Sequence, residues 1–170
     1  MLPIVLNPEF LRVGLAGSGD AFQRRLSFLV EAGVNSPVLF PSGVPASKEI
    51  SALNILFVAR LEEPEARALS SLARALGVLV NVEDKPELCD FHVPALVRRG
   101  DLLLTISTGG RSPGVARILR EDLEKHFGPE WEARLDEIAA ARDAWRASGL
   151  AAHDVSERTS ALVDAKGWRP

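Results

Sequence analysis

Asp84 is the residue on which chemistry can be built. It follows the apolar run VLVNV (78–82), and an acid just past the end of a buried strand sits where open α/β sheets hold their ligands. A carboxylate there can accept a proton as a general base. It can equally cap the turn that continues into Lys85-Pro86, and the residues alone leave both readings open. Two small-residue turns accompany it. Gly17-Ser18-Gly19 follows the strand-like LRVGLA (11–16) and precedes an apolar stripe of Phe22, Leu26, Leu29 and Val30 at helical spacing. A glycine turn between strand and helix lets a phosphate reach backbone N–H groups at the positive helix end, or serves only as a connector. Asp20 suits the first turn of that helix. Ser107-Thr108-Gly109-Gly110 ends another apolar run ahead of Ser112-Pro113, and its N–H groups and hydroxyls can hold a carboxylate or cap a helix. Arg98, Arg99, Arg111 and Arg117 flank it and can neutralise anions.

The elements that must position these groups read as an alternation. LRVGLA, PVLF (37–40), NILFVA (54–59) and VLVNV are short apolar runs of the kind found in parallel strands buried on both faces. Between them lie the helix after Gly19, a short helix around Lys48–Leu53, and a helix opened by Glu62, Glu63 and Pro64 with Ala68, Leu69, Leu72 and Leu76 on one face. The order β-α-β-α-β-α-β predicts a Rossmann-like parallel sheet with helices on both faces. DLLLTIS (101–107) reads as the last strand. Pro113 then launches a helix carrying Val115, Ile118, Leu119 and Leu123, and a second comes after Gly128-Pro129 with Trp131, Leu135, Ile138 and Trp145. With the sheet complete, these two helices are expected to pack on each other and on a second subunit. The expected organisation is a nucleotide-binding domain over 1–112, a helical dimerisation region over 113–150 and a loosely ordered tail over 151–170.

Totals narrow the function classes. A net charge of −3 over 170 residues gives no general attraction to nucleic acid or anionic membrane. No apolar run approaches the ~18–20 residues that span a bilayer. MLPIVLNPEF shows no basic segment or cleavage site of a leader, so the expected location is the cytoplasm. The single cysteine, Cys89, reads as a small buried residue, and His92, His126 and His153 have no metal-ligand spacing. No resident metal is expected.

NVEDKPELCDFHVPALVRRGDLLLTISTGGRSPGVARILREDLE (81–124) resembles the signature of the precorrin-2 dehydrogenase/sirohydrochlorin ferrochelatase family, the N-terminal module of bacterial sirohaem synthase. The shared pattern is N-V-x-D, C-D-F-x-x-P-A, R-R-G and S-T-G-G-x-S-P-x-x-A-R. MLPIVL, GSGDAFQRR and the Arg24-Arg25 pair agree with the family's opening, and the resemblance covers most of 1–145. It implies NAD-dependent oxidation of precorrin-2 to sirohydrochlorin, in some members with ferrous iron insertion, by a homodimer. It places the essential aspartate on Asp84. The cofactor contacts fall on Gly17, Ser18, Gly19, Asp20 and Ala21, with Pro41 and Ser42 after the second strand. That substrate is fringed with carboxylates, and the expected contacts to it are Asn81 and the anion-holding turn of Ser107, Thr108, Gly109, Gly110 and Ser112. The sequence departs from the family in the cofactor half. Phe22 stands where a small residue is expected, Arg60-Leu61-Glu62-Glu63 replaces Thr-Asp-Asp, and the segment between strands two and three is short. Arg60 raises the option of a 2′-phosphate partner. The alternative function is a tetrapyrrole-binding or chelatase-only protein with a decayed nucleotide site.

Overall fold

The computed structural model describes residues 2–41 and 44–169, and the chain folds as two compact units, 1–93 and 94–170. The first is built on four parallel strands, β1 (Val13–Gly17), β2 (Val38–Phe40), β3 (Ile55–Ala59) and β4 (Leu79–Val82), in the order β2-β1-β3-β4. Helices α1 (Gly19–Glu31), α2 (Ser47–Ile50) and α3 (Glu63–Ala75) are the crossovers. This is the Rossmann-like α/β fold that the order of apolar runs implies.

Alternation along the strands divides the core in two. Val13, Leu15, Ile55, Phe57 and Ala59 join Phe22 and Leu29 of α1 on one face of the sheet. Ala16, Leu56 and Val58 join Ile50, Leu69 and Ala73 on the other. All five residues of β3 are buried, which is why ILFVA contains no polar position. Phe22 is 3% exposed and belongs to the first cluster, so the large ring at the turn's third position fits inside the core.

Residues 89–91 take the place of a fifth strand along β4. The Val80 N–H donates to Asp90 Oδ2 at 3.0 Å, and the Asp90 N–H donates to the Val80 carbonyl at 2.8 Å. The Val82 N–H donates to Cys89 Sγ at 3.2 Å. Arg74 of α3 clamps the other Asp90 oxygen at 2.6 Å. Phe91 stands edge-on to Phe57, with ring centroids 5.4 Å apart. The open edge of the sheet is thereby covered.

The second unit corrects three expectations. DLLLTIS does form a strand, β6 (Leu102–Ile106), but it pairs antiparallel with β5 (Ala95–Arg99) in a separate two-stranded sheet. Gly100 occupies the first position of the two-residue turn with φ +55°, the backbone such hairpins require. The units therefore divide between Val93 and Pro94, not after 112. The expected helices form as α4 (Pro113–His126) and α5 (Trp131–Ala147), and the supposed loose tail contains a third, α6 (Ala152–Ala165). Its inward stripe is Val155, Thr159, Leu162 and Val163. Thr159 makes that stripe look polar, yet its hydroxyl donates to the Val155 carbonyl at 2.7 Å and accepts from Arg142 at 3.3 Å. Phe127 and Trp131 pack with ring centroids 5.2 Å apart, so Trp131 is a packing anchor.

Asp90→Ala should lower the unfolding free energy by about 1–3 kcal/mol, because it strands the Val80 N–H and the Arg74 guanidinium together. Asp90→Asn, which keeps an acceptor, should lose less. Urea denaturation of the three proteins checks the ranking.

Candidate active site

The carboxyl ends of β1, β3 and β4 converge on a cleft of about 350 Å³. Asp20 and Ala21 line it from the first turn of α1, Arg60 and Leu61 from the end of β3, and Glu83 and Asp84 from the end of β4. Gly17 makes the convergence feasible: a Cβ there would lie 1.7 Å from the Ala59 carbonyl oxygen, and its φ is +130°. Ser18 precedes α1 without a side-chain capping bond, and Gly19 and Asp20 are exposed. The first N–H groups of α1 thus keep no side-chain partner from the residue that would normally supply one. An exposed glycine turn with an uncapped helix start fits the diphosphate of a dinucleotide. Pro41 is exposed just beyond β2, whereas Ser42 lies outside the described residues.

Asp84 is exposed, in the third position of a turn closed by the Lys85 N–H on the Val82 carbonyl at 3.4 Å. Its φ is +59°, a left-handed backbone that aspartate tolerates better than most residues. Its carboxylate makes no hydrogen bond among the described residues, so no side-chain bond supports the capping alternative. Around it the charges are arranged in layers. Arg24 lies 3.7 Å from Glu83. The Arg25 guanidinium sits 5.1 Å from the Phe57 ring centroid. Burial pulls Arg25 below the ordinary arginine value, and the charges of Glu83, Cys89 and Asp84 oppose that pull. Residue type alone assigns no role to Arg24, Arg25 or Glu83. The available signal was the helical spacing, which carries 24 and 25 one turn beyond Asp20 and Ala21.

Asn81 is placed differently from the expected substrate contact. It is 7% exposed and donates to the Phe91 carbonyl at 2.9 Å, holding the edge-covering segment. Cys89 is also structural: its thiol contacts the Val82 carbonyl at 3.2 Å, and burial raises its pKa.

In the second unit, the turn after β6 is closed largely by itself. The Thr108 hydroxyl donates to the Ser112 carbonyl at 3.1 Å and accepts the Ser112 N–H at 3.2 Å. The Gly109 N–H donates to Ser107 Oγ at 3.3 Å, the Arg111 N–H to the Thr108 carbonyl at 3.2 Å, and Ser112 caps α4 through the Val115 N–H at 3.4 Å. Gly110, with φ +78° and open space around it, is the part of the turn left accessible to an anion. Arg99 is committed to the Phe127 carbonyl at 2.8 Å, and Arg117 lies 3.8 Å from Glu121.

Among the described residues, no three His, Cys, Asp or Glu side chains are grouped to hold a metal, and no helix is long and apolar enough to cross a membrane.

Known protein families match much of the chain. The family model described as "Putative NAD(P)-binding" matches residues 4–95, and that of the "Sirohaem biosynthesis protein central" matches 99–126. Siroheme synthase of Nitrosococcus oceani is 32% identical over 157 residues, covering 82% of this chain and 33% of the relative. That of Methylobacillus flagellatus is 33% identical with the same coverages, and that of Psychrobacter cryohalolentis is 34% identical, covering 81% and 29%. The chain thus spans about a third of the length of these synthases. In fold it is similar to the solved structure of SirC, a precorrin-2 dehydrogenase, with a TM-score of 0.74 at 17% identity, covering 99% of this chain and 92% of that one. With more than half its length matched by the first model, and the sirohaem model coming directly after it, the chain belongs to the NAD(P)-binding family of sirohaem biosynthesis proteins.

Proposed function

We propose that the chain binds a nicotinamide dinucleotide on the Gly17–Ala21 turn and oxidises precorrin-2 to sirohydrochlorin, a step toward sirohaem. One observation supports this above the others: a carboxylate with no hydrogen bond, Asp84, shares a cleft with the first turn of α1, which follows directly on the glycine turn of an NAD(P)-binding fold. The oxidation removes a hydride and a proton from the macrocycle. A bound nicotinamide supplies the hydride acceptor, and Asp84 takes the proton as general base. Gly17 and Gly19 admit the diphosphate, and the half-buried Arg25 guanidinium packs 5.1 Å from the Phe57 ring centroid behind that turn. The open N–H face at Gly110 suits a substrate fringed with carboxylates. For ferrous iron insertion into the product, Asp84 is the candidate acceptor of the pyrrole protons, with iron as substrate.

Incubation with precorrin-2 and NAD should produce sirohydrochlorin and NADH, followed by absorbance. No turnover, together with no dinucleotide binding by calorimetry, would sink the reading. Asp84→Asn should cut kcat by about 10²- to 10⁴-fold. Its melting temperature should hold, because asparagine accepts the left-handed backbone as readily as aspartate. Full activity in that variant would remove Asp84 from the chemistry.

We also propose that the working form is a homodimer built on α4. Val115, Ile118 and Leu119 are 47%, 54% and 45% exposed on one face of that helix, which buries none of its residues within the chain. Sedimentation should give twice the 18.4 kDa chain mass, and Ile118→Asp should shift the equilibrium to monomer. A monomeric wild type at tens of micromolar would refute it.

A further inference from the structure

The cleft holds as many bases as acids: Arg24, Arg60 and Lys85 face Asp20, Glu83 and Asp84. A doubly charged diphosphate therefore gains no net attraction from the cleft as a whole and needs a dedicated cation. Arg24 is paired with Glu83. Arg60 makes no hydrogen bond or ion pair among the described residues. Its backbone has φ +53°, and a Cβ built on Gly19 would lie 3.3 Å from its Nη1 and 3.8 Å from its Cδ. The uncommitted guanidinium thus lies directly over the glycine turn, beside the uncapped start of α1.

We propose that Arg60 is the clamp on the dinucleotide's diphosphate, completing from β3 the anion site that the glycine turn opens from β1. The inference rests on the dinucleotide reading above. Strand order separates it from recognition of a 2′-phosphate. The adenosine ribose of a dinucleotide is read at the end of the second strand. Here β2 and β3 flank β1 on opposite sides, roughly 10 Å apart at ordinary strand spacing. Arg60 follows β3, on the side away from that ribose. A guanidinium forks onto two phosphate oxygens at once, and it can rise from Gly19 to admit the ligand while remaining against its charge.

Titration of the wild type, Arg60→Gly and Arg60→Lys with NADH and with NADPH, followed by nucleotide fluorescence, tests this. Arg60→Gly is safe for the fold, since glycine adopts φ +53° without strain. The clamp requires that Arg60→Gly raise Kd by about 10- to 100-fold for both dinucleotides alike. Arg60→Lys should fall between, keeping the charge without the fork. The wild-type Kd should also climb more steeply with salt than that of Arg60→Gly. A loss confined to NADPH would make Arg60 a 2′-phosphate contact and overturn the proposal. Unchanged or tighter binding in Arg60→Gly would overturn it too, showing a bystander or a plug across the turn. If neither wild type nor variants bind either nucleotide, the dinucleotide reading itself falls and takes the clamp with it.

Discussion

The first unit depends on a contact that leaves no room for a side chain. Gly17 closes β1 against the Ala59 carbonyl at the end of β3, where a Cβ would stand 1.7 Å from the oxygen. No rotamer change relieves an overlap of backbone with Cβ, so any larger residue would have to pry the two central strands apart. Because they stay together to their last residues, the loops leaving both strands emerge at the same level. The chain after β1 turns straight into α1 and exposes its N–H groups. The chain after β3 delivers Arg60 above them. The cleft is thus a consequence of close strand approach, with the small residues Ala16 and Ala59 buried completely beside it.

The β4 edge of the sheet is fixed by a different device. Cys89, Asp90 and Phe91, which belong to the signature, stand in for a missing strand along β4. Asp90 supplies both a donor and an acceptor to Val80, and the Cys89 thiol answers Val82. An unpaired edge strand invites association with other chains, so the plug protects the fold. It also determines where chemistry can occur. The segment 83–88 leaves the sheet and is brought back to it by these bonds, with Leu88 buried in the core. Asp84 hangs from a loop tied at both ends, and its position is set by residues that never face the cleft.

Much of this was legible because parallel strands buried on both faces leave a blunt mark in sequence. ILFVA reads as a central strand, and Pro64 after two acids opens α3 as expected. The features that stayed hidden depend on bonds that sequence does not display. β5 contains two arginines and one fully buried residue, Val97, so it lacks the apolar run that marked the others. α6 was hidden by Thr159, polar by type but inward by bonding. The structural role of Asn81 is not displayed by sequence, because its partner, the Phe91 carbonyl, lies ten residues further on. At the site, the aspartate and the glycine turn were visible, while the loan of Arg60 to that turn was not. Its placement depends on a backbone conformation no residue type announces.

That conformation has its own logic. Along β3, residues 55, 57 and 59 point to the α1 face, while 56 and 58 point into the apolar cluster of α2 and α3. Continued alternation would send the residue at 60 the way of Leu56 and Val58. Along β4, Val80 and Val82 enter that same cluster, and continued alternation would send the residue at 84 after them. Both positions carry a charge that an apolar cluster cannot accept unpaired. Arg60 and Asp84 are the two non-glycine residues with positive φ among the described residues, at 53° and 59°. A left-handed residue breaks the pleat at a cost of about 1–2 kcal/mol each. That is less than the penalty for forcing either charge into the core. The two departures sit at the ends of neighbouring strands, so one mechanism turns two charged side chains out of the sheet and onto one cleft.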